Sequence, residues 1–313
     1  MGGCTLFHEK IPDRQLGAWL FAAMVPVALQ LLGGVSWAWV ACLGGIGMGI
    51  AYAIWRCSQD WPKWQSIMLF IYVSVLMGTL LPSVAQSWPV GNSDPAVPLI
   101  LLALAAWSAQ KGPAAAARVG AVLFWVVLGL YLAVFAAGGK AVKLNWLMPA
   151  IAAPDAVEMT IFLLPWAGAS LVRSPGVPGK RGWLTLAFIM IGTLITAGVL
   201  SPLMAEGTAN AFYEMSRSLE LLGVARRFEA LICAGATVGW FSLMSLLLAL
   251  CGEYAERIFP GRGRAGVWSG AVAAALWRLC GLHIWPVFLP VTGAIFWGVI
   301  PLLTQGLGKI KKS

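Results

Sequence analysis

The chain has 313 residues, 60% of them hydrophobic and only 11% charged, with a mean hydropathy of +0.82. Soluble domains run nearer ~45–50% apolar and ~25% charged, so a water-soluble fold is excluded and the solvent is a bilayer. The net charge of +9 would point to nucleic acid in a soluble protein, but here the basic residues sit in short gaps between apolar runs, which is a topology signal, and no nucleic-acid partner is expected.

The N-terminal Met1-Gly2-Gly3-Cys4 invites a lipidation reading. The myristoylation pattern, however, wants Ser or Thr at position 6 and finds Leu6, and nothing apolar precedes Cys4 to make a lipoprotein signal. Residues 1–14 therefore read as a cytosolic tail. Apolar runs then predict spans at 15–33, 36–55, 65–88, 97–110, 119–138, 149–172, 183–204, 228–250, 265–283 and 285–307. That is an all-α membrane protein of about ten transmembrane helices in a single polytopic domain, closed by a basic cytosolic tail at 308–313. Nine is the rival number, because the fourth run is short and the last two barely separate.

With the N-terminus inside, ten spans place most basic residues at the cytoplasm, among them Arg14, Lys63, Lys111, Arg118, Arg181, Arg257, Arg262, Arg264 and Lys312. Lys140, Arg226 and Arg227 fall outside, and both termini are cytoplasmic. Tryptophans near run ends, such as Trp61, Trp88, Trp146 and Trp285, fit interfacial belts, whereas Trp19, Trp125 and Trp240 fall mid-run and must pack inside or face lipid.

In the second run, Gly44-Gly45-Ile46-Gly47-Met48-Gly49 lacks the spacing of a dinucleotide loop, so Gly45 and Gly49 read as a close helix-packing pair. Polar and helix-breaking residues at membrane depth are more informative. The first run carries Met24, Pro26 and Gln30; the sixth carries Asp155, Glu158, Thr160 and Pro165. Proline frees backbone groups that lipid cannot satisfy, so breaks survive where protein or a water-filled cavity surrounds them. Pro26 and Pro165 interrupt the first helix of each five-helix half (15–138 and 149–307) at similar depths, the pointer to an inverted-repeat transporter with a midplane site; among 18 prolines, coincidence also supplies such a pair.

Glu158 is the sharper feature, since an ionisable group within a span costs at least ~2–3 kcal/mol and is kept for a task or a partner. Asp155 shares its face at i, i+3. The alternative puts both at the outer interface, and Arg278 and His283 are the basic residues placed to pair with them. From 207 to 229, Phe212, Met215, Leu219 and Leu222 recur at helical spacing opposite Glu214, Arg217, Glu220 and Arg226: an external amphipathic segment, either a linker helix or a lid. The scattered cysteines read as apolar fillers, and no nucleophile elbow, Walker loop or metal-ligand spacing is present, so neither enzyme chemistry nor a cofactor nor a metal is expected.

The opening Ile11-Pro12-Asp13-Arg14-Gln15-Leu16-Gly17 resembles the "I-S-x-R-Q-L" start of the spore germination permease family, the B-type subunit of nutrient germinant receptors, within the amino acid–polyamine–organocation transporter superfamily. Pro98–Trp107 with Gln110-Lys111-Gly112 and Ala117-Arg118, then Val157-Glu158-Met159 to Leu164-Pro165, then Tyr213-Glu214 with Ala225–Leu231, resemble further family passages in the right order. Where family members carry a Gly-rich break in the first helix, this chain carries Phe21–Pro26. The resemblance implies a five-plus-five inverted repeat (LeuT-like) with broken helices 1 and 6, and a small-molecule ligand, such as an amino acid, between them. It also implies a spore inner-membrane location among membrane lipids, and partners in other germinant receptor subunits: a large A-type membrane subunit and a C-type lipoprotein. The expected ligand-binding residues are Met24, Pro26, Gln30, Asp155, Glu158 and Thr160. A proton-coupled amino acid permease and a non-binding membrane scaffold are the competing functions.

Overall fold

A computed structural model describes residues 7, 9, 11–56, 62–87, 96–147, 152–171, 181–208, 210–219, 228–282 and 287–304. Of the residues singled out above, Met1–Leu6, Trp61, Trp88, Glu220, Leu222, Ala225, Arg226, Arg227, His283, Trp285 and the tail at 308–313 lie outside that set. The described residues form helices, with no strand among them. In order these are α1 Asp13–Leu32, α2 Trp37–Arg56, α3 Lys63–Gln86, α4 Ala96–Ala109, α5 Pro113–Ala141, α6 Ala156–Met159, α7 Leu164–Ala169, α8 Arg181–Leu200, α9 Pro202–Glu206, α10 Ala211–Ser218, α11 Phe228–Ile258, α12 Gly263–Leu279 and α13 Phe288–Gly293. A 3₁₀ turn, Thr160–Leu163, joins α6 to α7, and a π segment, Ala294–Val299, extends α13 into one rod ending at Thr304.

Six helices, those starting at 13, 37, 63, 113, 182 and 230, are long and apolar enough to cross a membrane. The rods at 96–109, 156–169, 263–279 and 288–304 are shorter. Helix ends follow local chemistry. Gly112 turns the chain at φ 96° and Pro113, whose missing N–H is no loss at a first turn, opens α5. The run expected to stop at 250 continues to Ile258 because its charges are internally satisfied. Arg257 Nε donates to Glu253 Oε1 at 3.0 Å, and the Glu256 carboxylate accepts from the amides of Gly261 and Gly263, both at 2.8 Å. At the other extreme, α8 stops at Leu200 rather than 204, where Ser201 takes a φ of 73° and Pro202 starts α9.

The most buried helix is α1, which packs against α5, α8, α11 and α7. Around it, α11 meets α3, α4, α5 and α12; α3 also meets α12; α2 meets α8 and the 156–169 rod; and the 288–304 rod meets that same rod and α3. Trp19 and Trp240 are fully buried with their indole N–H groups bonded, whereas Trp125 is exposed on the outer face.

Three expectations are corrected. Helix α1 does not break at Pro26 but runs through it from Asp13 to Leu32. Proline removes one helical hydrogen bond, yet its ring seats against α11 where Gly239 has no side chain, and a Cβ there would lie 2.5 Å from Pro26 Cβ. Neighbours on all sides hold the helix together. The sixth rod, in contrast, is interrupted, with four α residues, a 3₁₀ turn and a restart at Leu164-Pro165.

Second, Gly45 and Gly49 do not mediate close packing: a Cβ at either would meet nothing within 4 Å. The tight approaches of α2 run through Gly44, beside Leu186, and Gly47, 2.7 Å from Phe162 O as a Cβ would be placed. Third, the described first half of the 207–229 segment, through Leu219, does not lie flat on the surface. Phe212, Met215 and Leu219 are buried among α1, α5, α8 and α11, and Phe212 stacks on Tyr131 with ring centroids 5.6 Å apart. An aromatic partner inside the bundle gives this apolar face a better site than a membrane surface.

Candidate functional site

A cavity of about 480 Å³ opens where the end of α1, the approach to α6 and the α9–α10 segment converge. Its walls follow from helix ends rather than helix middles. The chain leaves α1 through Gly33 and Gly34, and a Cβ on them would lie 2.9 Å from Phe212 N and 2.5 Å from Ala205 O, so α9 and α10 press directly on the backbone. On the opposite wall, Ser36 N donates to Ala152 O at 3.1 Å and Trp37 Nε1 to Leu147 O at 3.1 Å, which hold the approach to α6 against the start of α2.

Gln30 lines this cavity and is 5% exposed. Its Oε1 accepts from Trp240 Nε1 at 2.9 Å. An indole N–H only donates, so the amide orientation is fixed: the carbonyl faces Trp240 and the NH₂ is what Gln30 offers to the cavity.

Asp155 and Glu158 form a reciprocal cap at the start of α6. The Asp155 carboxylate accepts from Glu158 N at 2.7 Å, and Glu158 Oε2 accepts from Asp155 N at 2.8 Å. Each carboxylate spends one oxygen on this cap and has a second beyond it, and both residues line the cavity. Glu206, the last residue of α9, lines it from the other side.

No basic side chain pairs with these three carboxylates among the described residues, although the pattern elsewhere is pairing: Glu9 with Arg118, Glu214 with Arg217, Glu253 with Arg257. Arg278 is exposed at the end of α12 and makes no ion pair with Glu158. Nor does any group of three or more His, Cys, Asp or Glu among the described residues stand close enough to hold a metal ion. The cavity thus offers negative charge on its rim and a buried amide donor on its floor, a pattern matched by a small organic molecule carrying an ammonium group.

Of the six residues expected to bind ligand, Gln30, Asp155 and Glu158 line this cavity. Met24 and Pro26 do not; both are buried in α1. Thr160 is buried too, its hydroxyl donating to Val157 O at 2.6 Å inside the 3₁₀ turn. Sequence reading missed Glu206 and Thr208, which sit in a connector without a motif; Ser201-Pro202, a capping residue followed by a first-turn proline, was the available signal that a short helix starts there and ends at Glu206. No protein-family model and no curated protein sequence matches the chain.

Proposed function

We propose that this chain is a transporter-like, ligand-sensing subunit of an integral membrane assembly, built of ten helices in two inverted five-helix halves, and that it binds a small zwitterion such as an amino acid. The observation that carries the binding is Gln30, a nearly buried amide whose donor group is left to a cavity that also presents three carboxylates without a basic partner among the described residues. A ligand ammonium lies toward Asp155 and Glu158 and its carboxylate toward the Gln30 amide.

Neighbour relations support the repeat. With 156–169 as the sixth rod, α8, α11 and α12 as seventh to ninth and 288–304 as tenth, adding five to each member returns another pair in several cases, although the pair of the first and eighth has no such counterpart. The first meets the seventh and the sixth meets the second; the fourth meets the eighth and the ninth meets the third; the fifth meets the eighth and the tenth meets the third. Sidedness is supported by charge. Arg14, Lys63, Lys111, Arg118, Arg262 and Arg264 lie at helix ends away from the cavity, which favours an external cavity under the positive-inside rule. Assignment to the spore inner membrane as a B-type germinant receptor subunit, with A-type and C-type partners, rests on the sequence resemblance.

The test is thermal unfolding and calorimetric binding of the purified full chain in detergent with L-alanine and L-lysine, for wild type and Glu158→Gln. Gln at the third helical position preserves the cap, so folding should stay near wild type while affinity falls about tenfold or more. The absence of any amino-acid-dependent shift would favour a scaffold without a site, a reading to which the unbroken α1 already lends weight. Accumulation of labelled ligand in proteoliposomes would make the protein a permease instead.

A further inference from the structure

Glu206 is the one wall of the cavity that a neutral amino acid leaves unanswered. A zwitterion presents one positive and one negative group. The negative group is satisfied by the Gln30 amide and the positive group by the free oxygens of Asp155 and Glu158 on the α6 wall. That leaves a third carboxylate on the α9 wall, facing the same space, with no basic partner among the described residues. Carboxylates on two walls against one neutral donor also repel the ligand's own carboxylate, a cost that a second ammonium offsets. Among the described residues these carboxylates do not gather into a group of three or more that could hold a metal ion. The complement is an extended organic ion with positive charge at two places.

We infer that Glu206 is a specificity-determining residue that makes the cavity prefer a small ligand of net positive charge, with a second amine, over a neutral amino acid. The inference rests on the proposed ligand-binding reading and narrows it to a substrate class. Glu206 is exposed, at the end of a five-residue helix with its carboxylate clear of the caps, so changing it leaves the fold intact. It is also carried by the α9–α10 segment, whereas Gln30 lies in α1 and Asp155 and Glu158 at the start of α6.

The experiment compares L-lysine with L-norleucine, which has the same carbon chain without the terminal amine, by calorimetry on the full-length protein in detergent at pH 7. Wild type should bind lysine about tenfold or more tighter than norleucine, and Glu206→Gln should erase that advantage by weakening lysine while norleucine holds its affinity or gains some through the lost repulsion. Raising salt should weaken lysine binding more than norleucine binding. Equal wild-type affinities, or a lysine preference that survives Glu206→Gln, would overturn the role of Glu206 while leaving ligand binding in place. Failure of both probes to bind, with Glu158→Gln equally without effect, would bring down both the inference and the reading under it.

Discussion

At the scale of single residues, Gln30 carries two tasks that substitution separates. Gln30→Leu removes the amide from the cavity and orphans the Trp240 indole N–H inside the bundle, so it should cost about 1–3 kcal/mol of stability as well as binding, read by thermal unfolding with and without lysine. Pro26→Ala should behave differently, because Pro26 seats against Gly239 and does not line the cavity. Ligand affinity should be unchanged by calorimetry, and a selective loss of binding would mean that α1 opens at Pro26 in a state other than this one. These contrasts explain what was legible in the sequence. Gln30 and Glu158 stood out because a polar group in an apolar run needs a partner. Which way such a side chain points depends on the neighbouring helix, and the partner of Gln30 lies 210 residues away. Met24 and Thr160 lie close to the site in sequence, but they face packed helix interior. Glu206 was invisible because acids are ordinary in connectors.

At the scale of elements, the apolar runs gave the rods to within a few residues over most of the chain, since length and hydropathy are properties of each run alone. They failed at the ends, where side chains settle matters locally. Glu253, Glu256 and Arg257 carry α11 eight residues beyond its apolar run, and Ser201 cuts α8 four residues short. Ser201, at φ 73° and ψ 149°, occupies a region that only glycine enters freely. Its side chain reaches Met204 N only at 3.5 Å, so little is lost with it. Ser201→Gly should therefore stabilise the protein by about 1 kcal/mol, seen as a higher Tm. The amphipathic 207–229 segment was recognisable from its spacing, but the depth of Phe212 in it was not, because that depends on Tyr131 and on the bare backbone at Gly33. Phe212→Ala should loosen the cavity's cover, with a loss of about 3–5 kcal/mol and faster hydrogen exchange over 211–218.

At the scale of the whole molecule, the rods alternate direction, so Lys111 at the α4–α5 turn and Lys140 at the far end of α5 lie on opposite ends of the bundle. Cysteine labelling at 111 and 140, in a background where the six native cysteines are replaced, should give opposite sidedness; modification from one side would end the topology. The centre of the bundle has another consequence, for the order in which the chain is made. Helix α1 emerges before the helices it packs against, yet it is the most thoroughly enclosed of the candidate crossing helices. Its Trp19 bonds to Ser242, and its Gln30 to Trp240, more than 200 residues later. Until α11 is synthesised, α1 waits in lipid with a glutamine uncovered, and its neighbours stand open on the faces that α11 will close. Chains ending before residue 228 should therefore be inserted but unfinished. They should be degraded faster than the full chain in pulse-chase experiments, and a separately expressed 228–313 fragment should rescue them by supplying the partner that α1 has been waiting for.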